Sequence, residues 1–159
     1  MAIEDVFNGA KTALAYFFAY LNAVAQEIGM ERAIAVQTKM CETMGAIQGK
    51  MMKEGSGMKE FDRKAAWSLV KTAPESFGIT VEKLEESPQR VVNKMGRCPV
   101  YEAAQMLGMD AKTIETLCRA GSITFMDAVA KQLNPNLSMR LRKFRSAPDD
   151  FCEEEMVLG

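Results

Sequence analysis

The chain opens with two long stretches in which apolar residues recur at helical spacing. Over 6–28 these are Leu14, Phe17, Phe18, Leu21, Val24 and Ile28, separated mostly by three or four residues as one face of an α-helix requires. Gly29 supplies a stop. A second helix is predicted over 30–54, with Ile34, Met40, Cys41, Met44, Ile47, Met51 and Met52 on a broad apolar face. Gly45 and Gly49 lie four residues apart on one side of it, where another helix or a ligand can approach the backbone closely. Gly55-Ser56-Gly57 breaks the pattern. A third helix is predicted over 60–73, burying Phe61, Ala65, Trp67, Leu69 and Val70, and Pro74 stops it.

The period then changes. The short runs 79–84 and 90–95 on either side of Ser87-Pro88 read as an antiparallel strand pair. Pro99 suits the first turn of a helix over 99–107. Asp110 is the expected N-cap of a helix over 111–120, with Gly121 as its stop. Thr124 with Asp127 three residues on resembles a capping box, opening a helix that closes near Asn134-Pro135. At the end, a basic run over 139–145 and an acidic run over 152–157 flank the turn residues Ser146-Ala147-Pro148-Asp149-Asp150. Paired antiparallel, they oppose unlike charges, and the Arg and Glu runs read as a solvated sheet face. The expected fold is α+β: N-terminal helices, then an antiparallel sheet of two hairpins with two or three short helices inserted between them. One domain over 1–159 is expected from a length that suits a single core.

Composition narrows the chemistry. Histidine is absent, which removes Ser-His-Asp and Cys-His catalysis and leaves thiolates, carboxylates and carbonyls as the protein's metal ligands. The start Met1-Ala2-Ile3-Glu4-Asp5 lacks a secretory signature, so the four cysteines are expected as thiols in a reducing cytoplasm. The apolar run over 13–25 carries Asn22 and is too short to span a bilayer. A net charge of −1 gives no reason to expect nucleic acid as the main partner. A small-molecule ligand is expected, no membrane partner, and a homodimer packed through the helical half.

Three of the four cysteines lie between Arg97 and Cys152, as Cys98-x19-Cys118-x33-Cys152. Cys98 follows a strand and precedes a helix, where the dipole and free amides are expected to lower its pKa, with Arg97 and Arg119 assisting. Three thiolates with one open position would suit a zinc ion or an iron–sulfur cluster, with Asp127, Asp149 or Asp150 completing the shell. Three readings stay open: a shared metal site at Cys98, Cys118 and Cys152, one functional cysteine without metal, or inert thiols. Cys41 reads as core, and the 13 methionines read mostly as core, with a Met-lined pocket as the rival. The carboxylate groups Glu85-Glu86, Asp149-Asp150 and Glu153 to Glu155 read as surface. No GxGxxG, P-loop or GxSxG occurs.

The pattern Arg97-Cys98-Pro99, a helical Leu117-Cys118, Leu133-Asn134-Pro135 and the closing Asp149-Asp150-Phe151-Cys152 resembles the C-terminal half of the L-2-amino-thiazoline-4-carboxylic acid hydrolase-like family. The helix with Glu31 and the region of Gly45 are similar too. That family is distantly similar to the 4-vinyl reductase domain, which implies an α+β small-molecule-binding fold. The resemblance implies hydrolytic opening of a cyclic amidine-like thiazoline ring, and it points to Cys98, Cys118 and Cys152 as site residues. Where the family's pattern has Gly-Asp before the last cysteine, this chain has Asp149-Asp150-Phe151. The leading expectation is a small-molecule-binding protein. As an enzyme it would be a hydrolase in which Cys98 or a metal-bound water attacks a C=N carbon, with Arg97 stabilising the charge. The rival is a non-catalytic ligand- or redox-sensing metal-binding module.

Overall fold

The computed structural model describes residues 2–159. Helix α1 (Ile3–Ile28) turns into α2 (Met30–Ser56) at Gly29, whose φ of 87° lies where an L side chain is strained. The second helix does not bury the face its methionines predict. Val36, Met40, Met44, Ile47 and Met51 are exposed, whereas Ala33, Gln37, Gly45 and Gly49 are buried. The glycines decide this. A Cβ at Gly45 would stand 2.4 Å from the Phe125 carbonyl oxygen, and one at Gly49 would stand 2.8 Å from that of Val129. Close backbone approach of the helix carrying Phe125 and Val129 thus selects the small-residue side, as the spacing of the two glycines anticipates.

The predicted third helix is two. Asp62 caps α3 (Arg63–Val70) by accepting from the Ala65 amide at 2.7 Å, and α4 (Thr72–Ser76) follows after Lys71. Pro74 sits inside α4 rather than ending a helix, because N–H groups of a first turn have no intrahelical acceptor and proline's missing donor is not felt there. Strands β1 (Val81–Glu86) and β2 (Arg90–Met95) form the first hairpin, with β1 two residues later than predicted. Helix α5 (Pro99–Met106) carries proline at its start, and α6 (Ala111–Cys118) is capped by Asp110, which accepts from the Thr113 amide at 2.8 Å.

Gly121 does not end a helix. It lies in a π-helical turn, Arg119–Ile123, that leads without interruption into α7 (Thr124–Leu133). The capping box at Thr124 therefore does not form: its hydroxyl donates to the Arg119 carbonyl, and Asp127 instead accepts from the Met139 amide at 2.8 Å, tying α7 to the sheet. Gly121 is required by space, since a Cβ there would meet the Gln37 amide nitrogen at 2.4 Å. After α7 the Asn134 side chain donates to the Phe61 carbonyl, holding the α3 end of the chain to the start of β3 (Leu137–Lys143).

Strands β3 and β4 (Cys152–Leu158) make the second hairpin, and the antiparallel order is β1-β2-β4-β3. The register opposes Arg140 to Glu155 and Lys143 to Glu153, as the charge pattern predicts. The fold is thus α+β, with two hairpins in one sheet and the short helices between them. Among the described residues no helix is long and apolar enough to cross a membrane.

Two clusters of buried apolar side chains result. One joins the inner face of the sheet, including Met95 and Met156, to α3 and α7 through Trp67 and Val129. The other joins α1 to α5 and α6 through Phe18, Tyr101, Ile114 and Leu117. Phe144 packs against both.

Candidate functional site

Where the two clusters meet, the protein forms a cavity of about 330 Å³ that is partly open to solvent. Its walls come from α1 (Leu14, Phe17, Phe18), α2, α5, α6, the π-helical turn, α7 and the inner face of the sheet. They are overwhelmingly apolar, so a solute entering them gains contact with carbon rather than new hydrogen bonds.

The three cysteines expected to share a site all reach this cavity, and Cys41, read from the sequence as core, reaches it as well. Cys98 comes from the N-cap of α5, Cys118 from the end of α6, Cys152 from the start of β4 and Cys41 from α2. They share the walls without converging: among the described residues no three cysteine or acidic side chains are placed to hold a metal ion. The acidic residues considered as further ligands are engaged elsewhere. Asp127 is tied to the Met139 amide and to Lys131, Asp150 to Lys143 and the Ser146 amide, and Asp149 is exposed.

The expected low pKa of Cys98 is reversed. Burial pushes its thiol up to about 11, outweighing the amides of Tyr101 and Val100 and the charge of Arg145. The helix N-terminus acts in the expected direction; desolvation is the larger effect. Burial also raises Cys41, and it raises Cys118 well above the ordinary thiol value, with Glu154 adding to the effect. Arg97 does not face these thiols. Its guanidinium bonds Glu102 at 2.6 Å and Glu4 at 3.1 Å and lies 4.2 Å from the centre of the Phe7 ring. Arg119 bonds Glu115 at 2.7 Å and the Leu141 carbonyl at 3.2 Å.

Two charged wall residues were read from the sequence as surface. Arg145, only 1% exposed, uses all five of its N–H donors within the protein. Nε donates to Cys152 Sγ at 3.4 Å, one terminal nitrogen to the Pro148 and Asp150 carbonyls, and the other to those of Met95 and Gly96. It joins the end of β2 to the β3–β4 connection. Glu154 is 7% exposed, and its Oε2 has no hydrogen-bond partner. Burial raises its carboxyl to about 7 against the pull of Arg145. Across the β2–β4 ladder stands Asn93, also buried, with neither amide atom bonded. Gln37, Tyr101 and Ser122 also bring polar atoms to the wall: the Gln37 amide nitrogen donates to the Leu117 carbonyl at 3.4 Å while its Oε1 is unpartnered, and the Tyr101 hydroxyl accepts from the Gln105 side-chain amide at 3.3 Å.

The signal for Glu154 was present in the strand alternation. Cys152, Glu154 and Met156 share a face by period two, and Cys152 and Met156 are inward. A run of three glutamates masks that parity because composition alone reads all three as solvated.

These features define an α+β protein built around a deep, partly open apolar cavity with a few buried polar groups in its wall. The chain belongs to the L-2-amino-thiazoline-4-carboxylic acid hydrolase family, whose sequence profile matches residues 10–154. No curated protein matches it. Among solved structures it is similar to the phenol-responsive sensory domain of the transcription activator PoxR with phenol, at TM-score 0.65 and 15% identity over 91% of this chain and 74% of that one. It is also similar to trafficking protein particle complex subunit 3 from Naegleria fowleri, covalently bound to palmitic acid, at TM-score 0.62 and 14% identity over 94% and 96% of the two chains. At these identities the likeness is one of fold.

Proposed function

We propose that this protein binds a small, largely apolar molecule in the cavity between its two core clusters. The observation that carries the reading is a partly open cavity of about 330 Å³ with apolar walls and two under-bonded polar groups, Gln37 and Glu154. That volume is within the range of sites that hold small ligands. The two fold neighbours, solved with phenol and with palmitic acid, support the same use of the architecture. The test is calorimetric titration of the purified protein with ethylbenzene and 4-ethylphenol. Saturable one-to-one binding is expected, and absence of heat and of any thermal stabilisation with both probes overturns the reading.

A second reading, hydrolysis of a cyclic C=N bond, rests on family membership and on the Glu154 carboxyl, held near 7 in the cavity wall. A carboxyl in that range can take a proton from an attacking water at neutral pH. In this reading the proton falls to Glu154 rather than Cys98, because a thiol raised to about 11 supplies little thiolate. Turnover of L-2-amino-thiazoline-4-carboxylic acid by the pure protein, abolished in Glu154→Gln, would establish it. A zinc or iron–sulfur group at Cys98, Cys118 and Cys152 is decided separately by elemental analysis and visible absorption of anaerobically prepared protein; near-stoichiometric metal would make the thiols the centre of the site.

A further inference from the structure

The polar atoms in the cavity wall discriminate between kinds of ligand. Two acceptors, Glu154 Oε2 and Gln37 Oε1, are buried without partners. A buried polar atom left unpaired is unfavourable, and a ligand that supplies the missing hydrogen relieves it. The cationic and amide donors of the wall are in the opposite condition. Arg145 is the cationic group of the wall, and each of its five N–H groups already serves a carbonyl or Cys152 Sγ. The Gln37 amide nitrogen is directed to the Leu117 carbonyl. A ligand carboxylate would lose its hydration in an apolar space and stand beside the Glu154 carboxyl, with no cationic donor left free in the wall and only hydroxyls such as those of Ser122 and Tyr101 to donate to it. A ligand ammonium would find an acceptor, but it would place a second cation in an apolar space that already holds the Arg145 guanidinium.

Resting on the binding reading above, we infer that the cavity's ligand is an uncharged apolar molecule with one hydroxyl, a phenol or alcohol in chemical class, whose O–H is taken by the Glu154 carboxyl or the Gln37 side-chain carbonyl. Both acceptors are side chains of elements that also carry the apolar walls, so the ligand's body and its donor are held by one structure. The inference runs against an anionic substrate, including the carboxylate in the family's name.

The test is a matched set of probes titrated into the full chain by calorimetry at neutral pH: 4-ethylphenol, 4-ethylanisole, 4-ethylbenzoate and 4-ethylbenzylamine. The first two differ in whether the oxygen carries a hydrogen; the last two carry a negative and a positive charge. The phenol is expected to bind roughly tenfold or more tightly than the anisole, as a hydrogen bond to a charged or buried acceptor implies, and the two ions are expected not to bind measurably. In Glu154→Leu combined with Gln37→Leu the preference of phenol over anisole should disappear. Should that variant fail to fold, the comparison in the wild-type protein still decides. Equal binding of phenol and anisole overturns the inference and leaves the cavity reading standing. Tightest binding by the benzoate or the benzylamine overturns it in favour of a charged ligand. Failure of all four probes, with ethylbenzene also inert, removes the binding reading itself.

Discussion

Glu154 is the residue whose environment departs furthest from what its neighbours in sequence imply. Its carboxyl ordinarily titrates near 4.5 and is raised to about 7 in the folded protein, first by burial and with Arg145 opposing. Folding therefore favours the protonated form. Below pH 4.5 both folded and unfolded chains hold the proton, and Glu154 makes no pH-dependent contribution. Between 4.5 and 7 the unfolded state releases it first, so stability falls as pH rises; above 7 both states are ionised and the penalty is constant. At roughly 1.4 kcal/mol per pKa unit the loss is about 3 kcal/mol. The groups facing this carboxyl are Arg145 beyond β3, Cys118 from α6, Cys152 on its own strand and Asn93 on β2. Surface carboxylates such as Glu86, Glu102 and Asp150 are lowered by their partners and act in the opposite sense. The difference between wild type and Glu154→Gln isolates the effect. Urea unfolding from pH 4.5 to 8 should show wild type losing stability relative to the variant across the window; parallel curves would refute the buried carboxylate. Of the four cysteines in this wall, the sequence grouped Cys98, Cys118 and Cys152 but left Cys41 in the core. Glu154 and Arg145 were not legible as wall residues, because each belongs to a charged run whose other members, such as Arg142 and Glu153, do form exposed or half-buried pairs on the outer face.

Among the elements, the contact between α2 and α7 shows which sequence signals carried structural information and which did not. Gly45 and Gly49 correctly marked a close approach, whereas the methionine stripe on the same helix suggested the wrong face, because backbone proximity requires small residues and the thioethers are displaced outward. Gly121 looked like a helix stop because glycine commonly closes helices. Here it makes room for Gln37 inside a π-helical turn, a constraint set by a residue more than 80 positions away. Local reading cannot find such a partner. The same geometry gives a prediction of opposite signs. Gly45→Ala places a methyl against a backbone carbonyl that cannot rotate aside, and overpacking of this kind lowers stability by about 1–3 kcal/mol. Gly9→Ala, in α1 with nothing within 4 Å of the added carbon, should raise it by roughly 0.5–1 kcal/mol. Thermal or urea unfolding of the two variants checks both, and a neutral Gly45→Ala would mean that α2 and α7 do not touch as described.

At the scale of the whole molecule, the cavity lies at the junction of the two clusters that hold the helical half and the sheet together. The order of elements and both hairpins were legible in the alternation of periods, because period and turn chemistry are local. The junction was not, since its walls are drawn from α1, α2, α5, α6, α7 and the sheet at once. That placement makes packing and binding opposed. A ligand at about 100 times its Kd stabilises the folded state by about 2.7 kcal/mol, which for a chain of this size is a rise in Tm of roughly 5–10 °C. Filling the same space from within should mimic part of that gain and exclude the ligand. Cys41 is half-buried on the wall, so Cys41→Leu extends a side chain into the cavity without displacing backbone. The variant is expected to be more stable than wild type by about 1 kcal/mol, as cavity-filling substitutions are, and to show a smaller Tm rise with 4-ethylphenol. A variant that lost stability and bound the phenol unchanged would place the binding space elsewhere, whereas a gain in stability with loss of binding would tie both properties to the one cavity.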